Sequence, residues 1–191
     1  MKTTETYKFL FEIILLWDYN RYIKEFILGG LPMKLIESFK VDHTRLLPGI
    51  YVSRKDDVNG NVVTTFDIRV TRPNYEPAMN TAEIHAIEHL GATFVRNDPE
   101  WQSKVIYFGP MGCRTGFYLI LTGDLKSTDI YDLIKNMFTF IRNYDSDIPG
   151  ATPDCCGNYL DFNLPMASYF AEKFTREVLD NFTPEHYTYP A

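Results

Sequence analysis

The pentapeptide His85-Ala86-Ile87-Glu88-His89 constrains this chain more than any other stretch of it. On an α-helix, which turns about 100° per residue, His85 and His89 lie about 40° apart and Glu88 about 60° to the other side, so all three share one face. Ala92 falls between them one turn on and leaves space, while Ile87, Leu90 and Phe94 form the opposite face. A helix patterned in this way packs its apolar side on a core and keeps its histidines in a walled cleft rather than in bulk water. Two imidazoles one turn apart can grip one cation, and a carboxylate beside them that is not a ligand can serve as a general base, as in the H-x-x-E-H motif. An ordinary pair of helical histidines has the same spelling, so a third ligand decides the chemistry.

Peptidases with the inverted motif take a distant downstream Glu as that ligand, in much longer chains, and residues 157–171 contain no Glu. What the downstream chain offers is Cys156, within Asp154-Cys155-Cys156-Gly157-Asn158-Tyr159. A set of two His and one Cys with an open position suits Fe²⁺, Zn²⁺ or Co²⁺ acting as a Lewis acid. A metallohydrolase using His85, His89 and Glu88, and a metal-binding regulatory module without turnover, stay open as alternatives.

The surrounding pattern predicts an α+β fold, an antiparallel sheet covered on one side by helices, with the metal site on the H-x-x-E-H helix. Asn61 to Val70 alternates, with Phe66, Ile68 and Val70 on one face and Asp67 and Arg69 on the other, as a half-buried strand does. Asn80 followed by Glu83 starts the motif helix, which runs to about Arg96. Lys104 to Phe108 and Thr115 to Leu121 read as two strands joined by a tight Gly-Pro-Met-Gly-Cys-Arg turn, which places Cys113 at the rim of the sheet. Ser127 caps a second helix with Ile130, Leu133, Ile134, Met137, Phe138 and Ile141 at helical spacing, and a third runs from Pro165 to Phe182, burying Ala167, Phe170, Phe174 and Val178.

At 191 residues the chain is long enough for one domain with a real core. That domain spans residues 33–191, with residues 1–32 an extension. Either Met33 is the native start, or an amphipathic helix occupies about residues 6 to 28 and packs on the surface. The net charge of −6 without a Lys/Arg run argues against nucleic acid as a partner. Three cysteines, two of them adjacent, cannot form a spaced disulfide framework and point to reduced thiols in the cytoplasm. Phe9 to Trp17 carries Glu12, falls well short of the roughly 20 residues that span a bilayer, and is followed by no cleavage signature, so no membrane is expected as a partner.

Five segments, SFKVDHTRL, FDIRVTRPN, HAIEHL, GPMGCRTGFY and CCGNY, stand in an order and rough spacing that resembles the S-ribosylhomocysteine lyase (LuxS) family, over about residues 36 to 160. The resemblance implies that His85, His89 and Cys156 hold one metal ion per subunit, physiologically Fe²⁺ and replaceable by Zn²⁺ or Co²⁺. It implies that Glu88 and Cys113 are the acid/base residues, and that Ser38, His43 and Arg69 contact the substrate or shape its site. The implied reaction converts S-ribosylhomocysteine to homocysteine and 4,5-dihydroxy-2,3-pentanedione, the precursor of autoinducer-2. It proceeds by enolisations and a β-elimination, and serves methyl-cycle recycling and quorum signalling. The implied assembly is a homodimer with its site at the subunit interface. If the fold brings them together, the Arg69 charge lowers the Cys113 pKa. Cys155 is expected to pack, and His186 to lie on the surface. Three positions depart from the family pattern: Tyr107 where many members have an acidic residue, Gly109 in place of a common serine, and Ala86 where threonine is usual.

Overall fold

The structure, a computed structural model, describes Ile36 and residues 39–190; the expectations for residues 1–32 and for Ser38 lie outside the described residues. Four strands, β1 (Gly49–Val58), β2 (Asn61–Arg69), β3 (Val105–Pro110) and β4 (Gly116–Thr122), form one antiparallel sheet in the order β1-β2-β4-β3. Three helices pack against it: α1 (Thr81–Asn97), α2 (Tyr131–Arg142) and α3 (Leu164–Glu177). The α+β class and the strand assignments hold. Asn59 and Gly60 join β1 to β2 with φ of 54° and 83°, the left-handed pair that a two-residue hairpin turn requires and that Asn-Gly adopts at least strain.

The period-2 pattern of the strands sorts their side chains. Ile50, Phe66, Ile68, Phe108, Phe117, Leu119 and Leu121 form the sheet's contribution to the core, where they meet Ile87 and Leu90 of α1, Ile134 and Phe138 of α2 and Phe174 of α3. The other face departs from expectation. Asp67 and Arg69, read as the solvent side of a half-buried strand, are each 3 % exposed. The C-terminal segment covers them, with Tyr189 stacked on Tyr51 of β1 and bonded to Asp67.

Helix α1 begins where its sequence signals place it, with the Asn80 N–H donating to the Glu83 carboxylate at 2.6 Å. The other two differ at their ends. Ser127 does not cap α2: Ser127–Ile130 form a separate 3₁₀ turn, entered by a Lys126 N–H to Asp129 carboxylate bond of 2.8 Å, and α2 starts at Tyr131. Helix α3 is capped by Asn163, whose side chain accepts the Met166 N–H at 3.1 Å, with Pro165 in the first turn. It ends at Glu177, not Phe182, because Val178 leaves helical geometry at φ −121° and the chain tightens into a 3₁₀ turn, Leu179–Asn181. The Tyr131 hydroxyl takes up the freed Leu179 carbonyl at 2.6 Å. His186, expected on the surface, is buried, with Nδ1 3.0 Å from the Asn181 carbonyl. Among the described residues no helix is long and apolar enough to cross a membrane.

Candidate functional site

The candidate side chains fall into two groups. The first stands where α1 meets the turns between α2 and α3. His85, His89 and Cys156 bring one potential ligand atom each to within 4.8 Å of one another. Both rings are oriented by the main chain: His85 Nδ1 lies 3.0 Å from the Asp161 carbonyl and His89 Nδ1 2.7 Å from the Pro149 carbonyl. Carbonyls only accept, so each Nδ1 carries its proton and each Nε2 presents a lone pair, the tautomer a metal ligand needs. Phe162 holds the rings in place, stacked on His85 at 4.1 Å between centroids and edge-on to His89 at 4.9 Å. The Cys156 sulfur lies 3.3 Å from His85 Nε2 and accepts the Asn158 N–H at 3.4 Å, while its own N–H donates to the Thr152 carbonyl at 2.9 Å. Two imidazole lone pairs and one thiol converging from three directions fit a divalent transition ion with an open coordination position. Glu88 is half-buried on the same helix.

The second group lines a cavity of about 280 Å³ on the other face of the sheet, walled by Phe39, Val41, His43, Asp67, Arg69, Cys113 and neighbours. Cys113 sits in the β3–β4 turn, exposed, as its Pro-Met-Gly context suggests. Its sulfur is 3.2 Å from the Thr115 hydroxyl and 3.6 Å from Nη1 of Arg69. Partial burial by itself pushes the thiol up, but the Thr115 hydroxyl and backbone and the Arg69 guanidinium outweigh it and hold the thiol below its ordinary range. Arg69 in turn donates from Nη1 to Thr115 Oγ1 at 2.5 Å and from Nη2 to Asp67 Oδ2 at 2.6 Å. Burial pushes the Asp67 carboxyl up, against the pull of Arg69; the Asp67 charge keeps Arg69 protonated despite its own burial. His43 joins this wall, its Nδ1 2.9 Å from the Val41 carbonyl.

The two groups do not share this cavity, whose lining includes none of His85, Glu88, His89 and Cys156. A main-chain bond connects their supports: the Met79 N–H, on the approach to α1, donates to the Arg114 carbonyl beside Cys113 at 3.0 Å. Cys155, expected to pack, is exposed, so packing does not explain it. The sequence reading missed Phe162, the Pro149 and Asp161 carbonyls and Tyr189. It named Asp67 only as a neighbour of Arg69.

Two departures from the family pattern turn out to be one. Tyr107 folds its ring over Gly109, its neighbour two residues along β3, so that a Cβ at 109 would overlap the Tyr107 hydroxyl and meet its Cε1 at 3.0 Å. The ring fits because residue 109 has no side chain.

Comparison with known proteins agrees with this geometry. The family model described as S-ribosylhomocysteinase (LuxS) matches residues 36–185. The chain is 61 % identical over 158 residues to an S-ribosylhomocysteine lyase of Finegoldia magna, covering 83 % of this chain and 99 % of that protein. A protein of the same name from Clostridium beijerinckii is 58 % identical over 158 residues, 83 % of this chain and 99 % of that one. One from Borreliella burgdorferi is 52 % identical over 158 residues, 83 % of this chain and all of its own length. With a family model matched along most of its length and relatives this similar, the chain belongs to the S-ribosylhomocysteinase (LuxS) family.

Proposed function

We propose that this chain is a metal-dependent carbon-sulfur lyase that converts S-ribosylhomocysteine to homocysteine and 4,5-dihydroxy-2,3-pentanedione, the autoinducer-2 precursor. The observation that carries the reading is the convergence of His85, His89 and Cys156 in a chain of this family. A thiol stands as third ligand where inverted-motif peptidases place a carboxylate, which removes the support for a hydrolase.

His85, His89 and Cys156 hold the ion, Fe²⁺ in the cell, with Zn²⁺ or Co²⁺ able to replace it. When bound, the ion supplies Lewis-acid stabilisation to the sugar oxygens on which enolisation builds negative charge. Cys113, with its thiolate favoured by Thr115 and Arg69, removes a carbon-bound proton and returns it at the neighbouring carbon. Glu88 shuttles protons between oxygens and serves the final β-elimination, which expels homocysteine as its thiolate. Arg69, His43 and Ser38 hold the substrate. The catalytic domain spans residues 33–191, with residues 1–32 outside it. What supports that boundary is that relatives aligned along 98–100 % of their own length cover 158 residues of this chain.

The separation of the two groups supports a homodimer in which the thiol of one subunit serves the metal of the other, and the free cysteines support a cytoplasmic location. The decisive assay is thiol release from S-ribosylhomocysteine by anaerobically purified protein loaded with Fe²⁺ or Co²⁺, compared with Cys113→Ala. Release that depends on Cys113 is expected; no release by fully metal-loaded protein overturns the reading. Mixing inactive Cys113→Ala and Cys156→Ala subunits tests the shared site, since random exchange restores at most about a quarter of the parent sites in a shared-site dimer and none in a self-contained subunit.

A further inference from the structure

The C-terminal segment reaches the Cys113 cavity from beyond the residues that the family model matches, which end at 185. Tyr189 lies parallel to Tyr51 with ring centroids 4.7 Å apart and an interplanar angle of 8°. Its hydroxyl donates to Asp67 Oδ2 at 3.0 Å, and that same oxygen accepts from Arg69 Nη2. Arg69 then reaches the Cys113 sulfur and the Thr115 hydroxyl through Nη1. Hydroxyl, carboxylate, guanidinium and thiol therefore form one unbroken series along the wall of a single cavity. The series has little slack. Asp67 Oδ1 and Arg69 Nε are buried without a hydrogen-bond partner, so the carboxylate is held through Oδ2, which Tyr189 and Arg69 share. The anchor of the segment is also built in: the Tyr51 hydroxyl lies 3.0 Å from both the Leu47 and Glu185 carbonyls.

We propose that Tyr189 is a positioning residue of the Cys113 site, and that the C-terminal segment is a strap whose hydroxyl, by sharing Asp67 with Arg69, sets how much of the guanidinium charge reaches the thiolate. An ionised Asp67 opposes the field of Arg69 at the sulfur, and a hydroxyl donating to Asp67 draws off part of that opposition. The other charged or titratable groups around the cavity are His43 from the segment before β1 and Tyr118 from β4, with Tyr51 and Arg54 of β1 and Glu185 behind them. None of these stands between Tyr189 and the sulfur in the bonded series. The proposal rests on the reading of Cys113 as the proton-transferring thiol, but its test observes the thiol itself, so a failed lyase assay and a failed strap are separate results.

The experiment is the pH dependence of carbamidomethylation at Cys113 in metal-loaded, full-length protein. Peptide mass spectrometry separates Cys113 from Cys155 and Cys156. Tyr189→Phe keeps the ring stack and removes the hydroxyl, and the alkylation midpoint is expected to rise by about half a pH unit. Asp67→Asn removes the opposing charge and is expected to lower it. In the Asp67→Asn background, Tyr189→Phe is expected to shift the midpoint by less than measurement error, because the charge it acted upon is gone. A Tyr189→Phe midpoint equal to or below that of the parent overturns the proposal, as does an upward shift that persists undiminished with Asp67→Asn. Should Asp67→Asn fail to fold, Tyr189→Phe with a parent-like near-ultraviolet circular dichroism spectrum decides the question alone.

Discussion

The His85, His89 and Cys156 cluster and the Cys113 cavity sit on the same small scaffold, yet they are held by different means. His85 and His89 are aimed by main-chain carbonyls of Asp161 and Pro149, groups that every residue type carries. Cys113 is tuned by a series of side chains, Thr115, Arg69, Asp67 and Tyr189, each holding the next. Side-chain changes at 149 or 161 leave the first arrangement in place, provided the backbone path survives. Any change along the second passes down the series to the sulfur. The hydrogen bonds that aim the two histidines come from backbone, with Phe162 packed against the rings, whereas those that reach the thiol come largely from side chains and can be changed one at a time.

That contrast is easiest to break at the ligands. Cys156→Ala should lose stoichiometric metal, measured by elemental analysis of the purified protein, whereas Cys113→Ala should retain it. Equal loss in both would collapse the division between the two regions, while Asp161→Ala should keep the metal because the contact is a carbonyl. Next in size is Arg69→Met, which leaves the buried Asp67 carboxylate without a counter-charge. Urea unfolding should show a loss of about 3–5 kcal/mol, largely recovered in Asp67→Asn/Arg69→Met. A single substitution that proved silent would mean that water reaches the pair.

Gly109→Ser is expected to cost less than about 1 kcal/mol, because the ring it meets is the exposed far end of the Tyr107 side chain, and Tyr107→Ala/Gly109→Ser to regain most of that. Additive losses in that double-mutant cycle would show that the two positions do not interact. The smallest effect is on pH dependence. The folded-state pKa of Cys113 lies below its ordinary value of 9.0, so its contribution to stability is present above that value and is lost as pH falls through the folded-state pKa. The advantage in urea midpoint of the parent over Cys113→Ala should therefore grow as pH rises from about 7 to about 9, by a modest amount because the thiol is partly solvated. A flat difference would mean that the folded and unfolded thiols titrate alike.

The parts of the molecule that were legible in sequence are those whose signal is local. The alternation of Asn61 to Val70 gave β2, Asn80 with Glu83 gave the start of α1, and helical spacing gave the apolar face of α2. The His85, His89 and Cys156 cluster could be read because two histidines one helical turn apart and a distant cysteine are chemically rare together. What could not be read depends on distant contacts. Period-2 alternation distinguishes two faces but does not say what covers the second one. Asp67 and Arg69 looked like a solvent face because Tyr189, which covers them, is far away along the chain. Carbonyls that orient histidines leave no mark in any side chain. Ser127 failed as a cap for a subtler reason, since it opens a 3₁₀ turn that precedes α2, and Asp129 supplies the acceptor at the start of that turn. His186 has the polarity of a surface residue and is buried by the path of the tail.

The Tyr107 ring lying over Gly109 also ties the two positions together through any history of change in this strand. With a serine at 109 the ring cannot keep this place, but it is the far end of a flexible side chain and is 42 % exposed, so it has a route outward into solvent. What the glycine decides is therefore where the aromatic face is shown, flat along the strand or projecting from it, and not whether a tyrosine is accepted at 107. Libraries that vary 107 and 109 together will sort by ring placement before they sort by stability.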